Sequence, residues 1–395
     1  MSVEKQSAEK GFDPRPILKH CQSDLAAMLR CLRQAVEIES PSGSKADVDR
    51  MARFFAEEFK RLGGSVRLLP HPSAGAAVVA EFWGEKRGRA PRQRPILLLG
   101  HHDTVWNRGT LAGMPFRIRG GRAYGPGSLD MKSGIVCALR AIDALQALGL
   151  APASPVRVFL NPDEEVSSRA FRRELLAEAG RARAVLVLEP AQGPNGALKT
   201  ARKGVGEFEI TALGRAAHAG INPAAGVNAI TELARQILRI EKLARPERGL
   251  TLNAGVIEGG TRSNVVPERA TVRIDVRIAR ARDRETIERQ VYGLKPIYPG
   301  ARLEIRGGVN RPPMERAVAA DLFRKAHALG RQLGMELEEA STGGGSDGNF
   351  TAALGVPTLD GLGGVGDGAH ARHEHVIIRE LPRRAALLSA LLATL

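Results

Sequence analysis

The 395-residue sequence predicts an α/β protein: a mostly parallel sheet flanked by helices, with an inserted ferredoxin-like α+β domain. Two observations carry this. Short apolar runs alternate with helical patterns through the first half, as in successive βαβ units. After Lys203 the order becomes β-α-β-β-α-β, and helical patterning resumes near residue 316.

Each element has a local reason. Ile17, Cys21, Leu25, Met28, Leu32 and Val36 recur at helical spacing and predict a helix over 13–38. Val48, Met51, Phe55, Phe59 and Leu62 share one face of a second helix, from about Lys45 to Leu62, which stops at Gly63-Gly64. Strands follow at 77–83 and 95–99, then a helix at 132–148, a strand at 156–160, a helix at about 169–180 and a strand at 184–188. In the insertion, 205–212, 250–257, 269–278 and 301–306 read as strands, and 227–243 and 284–293 as helices. Helices at 316–334 and from about Leu381 to the end return to the first domain. The division is therefore 1–204 and 313–395 for one domain, with 205–312 inserted.

Composition bounds the function. Hydrophobic content of 43% with 44 Gly and 23 Pro suits a soluble α/β protein. No run reaches the ~18 apolar residues of a membrane span, and Met1-Ser2-Val3-Glu4-Lys5 opens no apolar signal region. Three cysteines (Cys21, Cys31, Cys137) make no paired framework, which suits a reducing cytoplasm, and Cys137 reads as core. The net charge of +15 comes mostly from scattered arginines. Basic clusters such as Lys86-Arg87-Gly88-Arg89 are short and only 4% of residues are aromatic, so a nucleic-acid partner is not expected. The charge suits attraction of anionic substrates.

The chemistry lies in acids and histidines placed mostly where strand-forming runs end: Gly100-His101-His102-Asp103, Gly127-Ser128-Leu129-Asp130, Asp163-Glu164-Glu165, Leu188-Glu189-Pro190 and Gly368-Ala369-His370. In an extended backbone His101 and Asp103 share a face, so His101 can ligate a metal while Asp103 accepts its second ring N–H; His102 points the other way. Asp130 precedes a helix and alone would pass for a cap. Glu164 and Glu165 are neighbours that can aim at different targets, one as ligand and one as base. Glu189 ends a very apolar strand, where an acid needs a partner. Spacing alone does not choose among His370, His373 and His375.

Taken together, these motifs resemble the di-zinc peptidase family of glutamate carboxypeptidase, aminoacylase, acetylornithine deacetylase and succinyl-diaminopimelate desuccinylase, over nearly the whole chain. Ala123-Tyr124-Gly125-Pro126-Gly127, Asp163-Glu164-Glu165, Glu189-Pro190 and Gly343-Gly344-Gly345-Ser346-Asp347 are most similar to the glutamate carboxypeptidase branch. The resemblance implies two Zn2+ per chain (Co2+ or Mn2+ can substitute), with Asp130 bridging, His101 and Glu189 completing one site, Glu165 and His370 the other, and Glu164 as general base and acid. A final motif of His followed four residues later by Glu selects His370, with Glu374. It also implies a cis peptide at Asp130–Met131.

For the insertion it implies a lid and dimerisation domain and a homodimer. His218 would stabilise an oxyanion, often in the partner's site, and Asn264 would contact substrate or oxyanion. Arg277 would contact substrate, Arg311 would bind a substrate carboxylate through its planar fork, and Gly344 and Gly345 would offer backbone N–H groups. The activity implied is removal of a C-terminal amino acid or deacylation of an N-acyl amino acid; a small-acyl deacetylase or a dipeptidase is the runner-up. One departure concerns a lysine of glutamate carboxypeptidase, replaced around Ala197, with Lys199, Arg202 and Lys203 close by.

Overall fold

A computed structural model describes residues 11–84 and 93–395. Met1–Lys5 and the Lys86-Arg87-Gly88-Arg89 cluster lie outside the described residues. The fold is the α/β class read from the sequence, and the chain divides into two compact units: 1–200, 316–341 and 346–395 form unit 1, and 201–315 with 342–345 form unit 2.

Unit 1 is built on six strands in the order β1-β2-β6-β3-β7-β14. These are β1 (Ser65–Leu69), β2 (Ala77–Phe82), β3 (Ile96–His101), β6 (Val156–Asn161), β7 (Ala184–Val187) and β14 (Thr358–Leu359). β3 is parallel to both β6 and β7, and β14 is parallel to β7, while β1 and β2 run antiparallel at one edge. Every residue of β3 is buried, which explains its unbroken Ile-Leu-Leu-Leu run: a central parallel strand is covered on both faces. Leu97, Leu99, Phe159, Val185 and Val187 pack with Leu175, Phe350 and Phe171 in one core cluster.

Register decides where the chemistry falls. His101 pairs with Asn161 across β3 and β6, and Leu99 pairs with Val187 across β3 and β7. The segments that follow these strands therefore emerge on one rim, the carboxyl edge where open α/β sheets bind ligands. The helix Ser133–Ala147 is drawn to the same rim by Gly134. A Cβ built there would lie 2.0 Å from the Leu188 carbonyl oxygen, so no larger residue permits this approach. Arg384, fully buried in the helix Glu380–Thr394, donates to the carbonyls of Gly363 (3.0 Å), Gly196 (3.1 Å) and Gly361.

The helix expected over 13–38 is two, Arg15–Ser23 and Leu25–Glu37. The break falls at Asp24 (φ −96°, ψ 6°), whose carboxylate accepts from Arg140 at 3.0 Å. The periodicity survives because Ile17, Cys21, Met28, Leu32 and Val36 remain buried on either side. Strands not anticipated from the sequence include β1 and a small sheet, β15-β16-β5-β4, of β4 (Arg117–Arg119), β5 (Arg122–Tyr124), β15 (Gly366–Asp367) and β16 (His375–Ile377). A two-stranded ladder of β8 (Leu198–Arg202) and β13 (Glu339–Thr342) is also new.

Unit 2 is an antiparallel sheet, β10-β11-β9-β12, of β9 (Gly204–Leu213), β10 (Thr251–Gly259), β11 (Arg269–Ile278) and β12 (Arg302–Arg311). With the helices Ala229–Glu241 and Asp283–Tyr292 this is the β-α-β-β-α-β order read from the sequence. Phe208, Ile210, Leu233, Ile274, Val276 and Ile287 form its own core. Asn228 caps the first helix, accepting from Thr231 N at 3.0 Å. β10 is an edge strand, exposed from Asn253 onward. The chain enters through Arg202 and leaves through Met314, and these two residues exchange both backbone hydrogen bonds, at 2.9 and 3.0 Å.

Candidate metal centre

Within unit 1 the rim gathers residues far apart in sequence. His101 ends β3, and Asp130 sits in the loop before Ser133–Ala147. Glu164 and Glu165 occupy the turn after β6, Glu189 follows β7, and His370 (φ 62°) lies in the turn between β15 and β16. The Asp130–Met131 peptide is cis.

The two oxygens of Asp130 face two different histidines. Oδ1 lies 3.2 Å from His101 Nε2, and Oδ2 lies 3.4 Å from His370 Nε2. Each histidine meets one further carboxylate: Glu189 Oε1 is 3.5 Å from His101 Nε2, and Glu165 Oε1 is 3.3 Å from His370 Nε2. Ligands about 2.0–2.2 Å from a tetrahedral cation are separated by about 3.3–3.6 Å along its edges, so these separations match two adjoining divalent sites sharing Asp130. Glu164 joins the group, with a carboxylate oxygen within 4.8 Å of a His101 ring nitrogen and of the Glu189 carboxylate.

The electrostatics agree with that fit. Burial works against a charged His101, yet the Asp103, Asp130 and Glu189 carboxylates raise its pKa well above the ordinary value. Asp130 and Glu165 raise His370 to about 10. Burial pushes Glu165 up, with His370 opposing it; burial pushes Asp130 the same way, but the two histidines hold it far below the usual carboxylate range. The carboxylates thus favour the cationic imidazoles, and a divalent cation is the chemical alternative to those protons.

Asp103 is fully buried, but its carboxylate does more than orient His101. The His101 Nδ1 is 3.1 Å from the Asp103 carbonyl oxygen and 3.4 Å from Oδ1. The carboxylate also accepts the backbone N–H of Glu164 and of Glu165, each at 3.2 Å, and the hydroxyl of Ser42 at 2.6 Å. Asp103 therefore ties the Glu164–Glu165 turn to the end of β3. Ser42 was not among the residues singled out in the sequence; only the Pro41–Thr104 bridge brings it there. His102 is buried on the other face, with both ring nitrogens lacking a hydrogen-bond partner among the described residues, and burial lowers its pKa to about 4. His373 faces Asp367 at 3.7 Å, and His375 contacts the His373 carbonyl at 2.9 Å, so of these three histidines His370 is the one brought to the carboxylates. A cavity of about 490 Å3 adjoins the centre, lined by Asp130, Glu189, Gln192, Lys199, Arg122 and His375 among others.

The remaining candidates lie in unit 2. His218 Nδ1 accepts from the backbone N–H of Gly220 (3.1 Å) and Ile221 (3.2 Å), and the His218 and Asn264 segments are bridged, Ala219 N donating to Asn264 O at 2.9 Å. Arg277 forks onto Asp275 on its own strand at 2.8 Å and also donates to Gly343 O at 3.2 Å. Arg311 is buried at the end of β12. Arg202, buried, donates to the carbonyls of Gly344 (3.1 Å) and Gly345 (3.4 Å), so those carbonyls are engaged by the protein itself.

Residues 97–394 match the model of Peptidase family M20/M25/M40. Carboxypeptidase G2 of Pseudomonas sp. (strain RS-16) is 32% identical over 376 residues, covering 93% of this chain and 89% of the relative. A succinyl-diaminopimelate desuccinylase of Delftia acidovorans (strain DSM 14801 / SPH-1) is 25% identical, covering 77% of this chain and 82% of the relative. The crystal structure of aminopeptidase PepT from Bacillus cereus ATCC 10987 superposes with a TM-score of 0.75 at 21% identity, covering 94% of this chain and 98% of that one, which speaks to the fold.

Proposed function

The chain belongs to Peptidase family M20/M25/M40, metal-dependent hydrolases, and we propose that it acts as a carboxypeptidase-like amide hydrolase on peptides or N-acyl amino acids. The observation that carries this is Asp130, whose two oxygens face His101 and His370, each with its own second carboxylate. Two divalent ions, most naturally zinc given His and carboxylate donors, would be held by His101, Asp130 and Glu189 and by Asp130, Glu165 and His370. Bound there, such ions would supply Lewis acidity and a lowered water pKa.

The protein's own groups do the rest. Glu164 serves as general base and acid, taking a proton from the attacking water and returning it to the leaving amine, so one carboxylate serves both halves of the reaction. Asp103 holds the Glu164–Glu165 turn and the His101 ring in place. His218 and Asn264 stabilise the oxyanion, and Arg311 pairs bidentately with the α-carboxylate of the leaving amino acid. Arg277, Gly344 and Gly345 complete the substrate side. We place the enzyme in the cytoplasm as a homodimer formed through unit 2, whose exposed β10 edge is a surface that invites pairing; a single monomeric species in sedimentation at all concentrations would remove the dimer. Among the described residues no helix is long and apolar enough to cross a membrane.

Deacylation of a small N-acyl amino acid, or dipeptide cleavage, is the second reading, supported by the likeness to a succinyl-diaminopimelate desuccinylase, 25% identical over 77% of this chain. The test is a matched pair, an N-acyl glutamate and its α-amide, assayed on wild type and Arg311→Ala. A strong preference for the acid that disappears in Arg311→Ala is expected. Equal wild-type rates on acid and amide would eliminate the carboxypeptidase reading.

A further inference from the structure

Glu374 is not assigned to a metal, yet it is completely buried and its carboxylate is filled with donors, the backbone N–H of Asp130 among them. Its Oε2 accepts from Trp106 Nε1 at 2.8 Å and from the backbone N–H of Gly127 at 2.9 Å. Its Oε1 accepts from the backbone N–H of Leu129 at 2.9 Å and of Asp130 itself at 3.0 Å. Three of these four donors belong to the loop that carries Asp130. Glu374 also closes the turn that carries His370: its N–H donates to Ala371 O at 2.9 Å, and Ala371 N donates to Gly368 O at 2.8 Å. Its carbonyl accepts from Gly125 N at 3.3 Å. One residue thus grips two backbones that are remote in sequence and that present the two sides of the Asp130 Oδ2–His370 Nε2 approach, 3.4 Å.

Burying a carboxylate is costly unless its lone pairs are filled, and charge-assisted bonds from backbone N–H are among the strongest available. Here the partners are N–H groups of a segment whose conformation fixes the aim of Asp130. We propose that Glu374 is a positioning residue for the second metal site, locking the Asp130 loop to the His370 turn so that the two ligand atoms stand 3.4 Å apart, a separation that suits a shared cation. The inference rests on the metal-centre reading above.

The decisive variant is Glu374→Gln. It keeps the side-chain shape, but its amide NH2 faces two N–H donors instead of accepting from them. In folded Glu374→Gln, calorimetric titration of the metal-free protein with Zn2+ is expected to show one ion bound as in wild type and the second weakened by about 10- to 100-fold, the range typical when the outer partner of a metal ligand is lost. Raising Zn2+ should restore turnover with KM unchanged, which a general loss of folding would not do. Glu374→Asp, with the charge but a shorter reach, should fall between. If Glu374→Gln does not fold, Trp106→Phe, which removes one donor and no charge, decides: a measurable weakening of the second ion alone supports the proposal. Two wild-type affinities in either folded variant, or equal weakening of both ions, would overturn it. Wild-type protein that takes up no second ion at all would instead refute the two-metal reading itself, a result visible before any variant is made.

Discussion

Replacing Asp103 with asparagine isolates the part of the centre that touches no cation in the proposed assignment. The carboxylate accepts from Glu164 N and Glu165 N at 3.2 Å each and from Ser42 Oγ at 2.6 Å, and lies 3.4 Å from His101 Nδ1. An asparagine keeps one acceptor oxygen and presents an NH2 in place of the other. At least one of the two backbone N–H groups therefore loses its partner inside a site with no exposed surface at Asp103. A hydrogen bond to a charged group contributes about 1.5–3 kcal/mol. If that energy goes into holding the Glu164–Glu165 turn for the reaction, kcat/KM should fall about 10- to 150-fold, at 1.4 kcal/mol per factor of ten. The assay is steady-state hydrolysis of an N-acyl amino acid, paired with metal analysis and a thermal melt of the same sample. Ser42→Ala, which removes one neutral donor, should have a much smaller effect. An Asp103→Asn enzyme with kcat/KM within twofold of wild type and full metal content would refute the idea that this carboxylate organises the turn.

Glu164→Gln should retain both ions and the fold while losing about 10²–10⁴-fold in kcat, whereas Glu165→Gln should bind fewer ions; elemental analysis of the two proteins side by side would expose a reversal of roles. Gly134→Ala should drive the helix away from Leu188, since its Cβ would sit 2.0 Å from that carbonyl, and destabilise unit 1 by about 1–3 kcal/mol, measurable by urea unfolding. For the metal-free protein, the folded pKa of His370 is raised to about 10 and that of Glu165 is raised as well, so the folded state holds more protons than the unfolded one. The His370 contribution is full below its unfolded value near 6.5 and is lost as pH rises through about 10; the Glu165 effect also disfavours the fold once the unfolded carboxyl ionises. Burial lowers Lys132 to about 7 and works the other way over the same range, so the test is comparative: metal-free His370→Ala should lose less Tm from pH 6 to 10 than metal-free wild type, and an equal loss would contradict the assignment.

The alternation of strands and helices was legible because it depends on local pattern. β3 is a pure apolar run for the reason central parallel strands always are, and the insertion announces itself by a change of order after Lys203. What local pattern could not reveal is contact between distant segments. Asp103 and His101 share a face in an extended chain, yet the Asp103 carboxylate also serves Glu164 and Glu165, neighbours only because β3 and β6 pair in register. Ser42 and Trp106 carry no motif at all. The three histidines at 370, 373 and 375 are indistinguishable by spacing; the left-handed turn at His370, φ 62°, separates them. The break at Asp24 leaves no mark on the periodicity because the buried stripe continues through it. β4, β5 and β15 are two or three residues long, too short for a period to register.

The paired backbone of Arg202 and Met314 has a consequence for how such a protein can change over time. A guest whose two ends leave the host side by side adds almost no closure penalty to the host's own folding, since the gap it must span is already shut. Unit 2 has its own hydrophobic core, and the six rim residues all belong to unit 1. The inserted segment is thus a replaceable cassette. Excising it with a short turn between Arg202 and Met314 would leave a host that still owns every candidate metal ligand, while the proposed oxyanion groups, His218 and Asn264, would depart with the cassette.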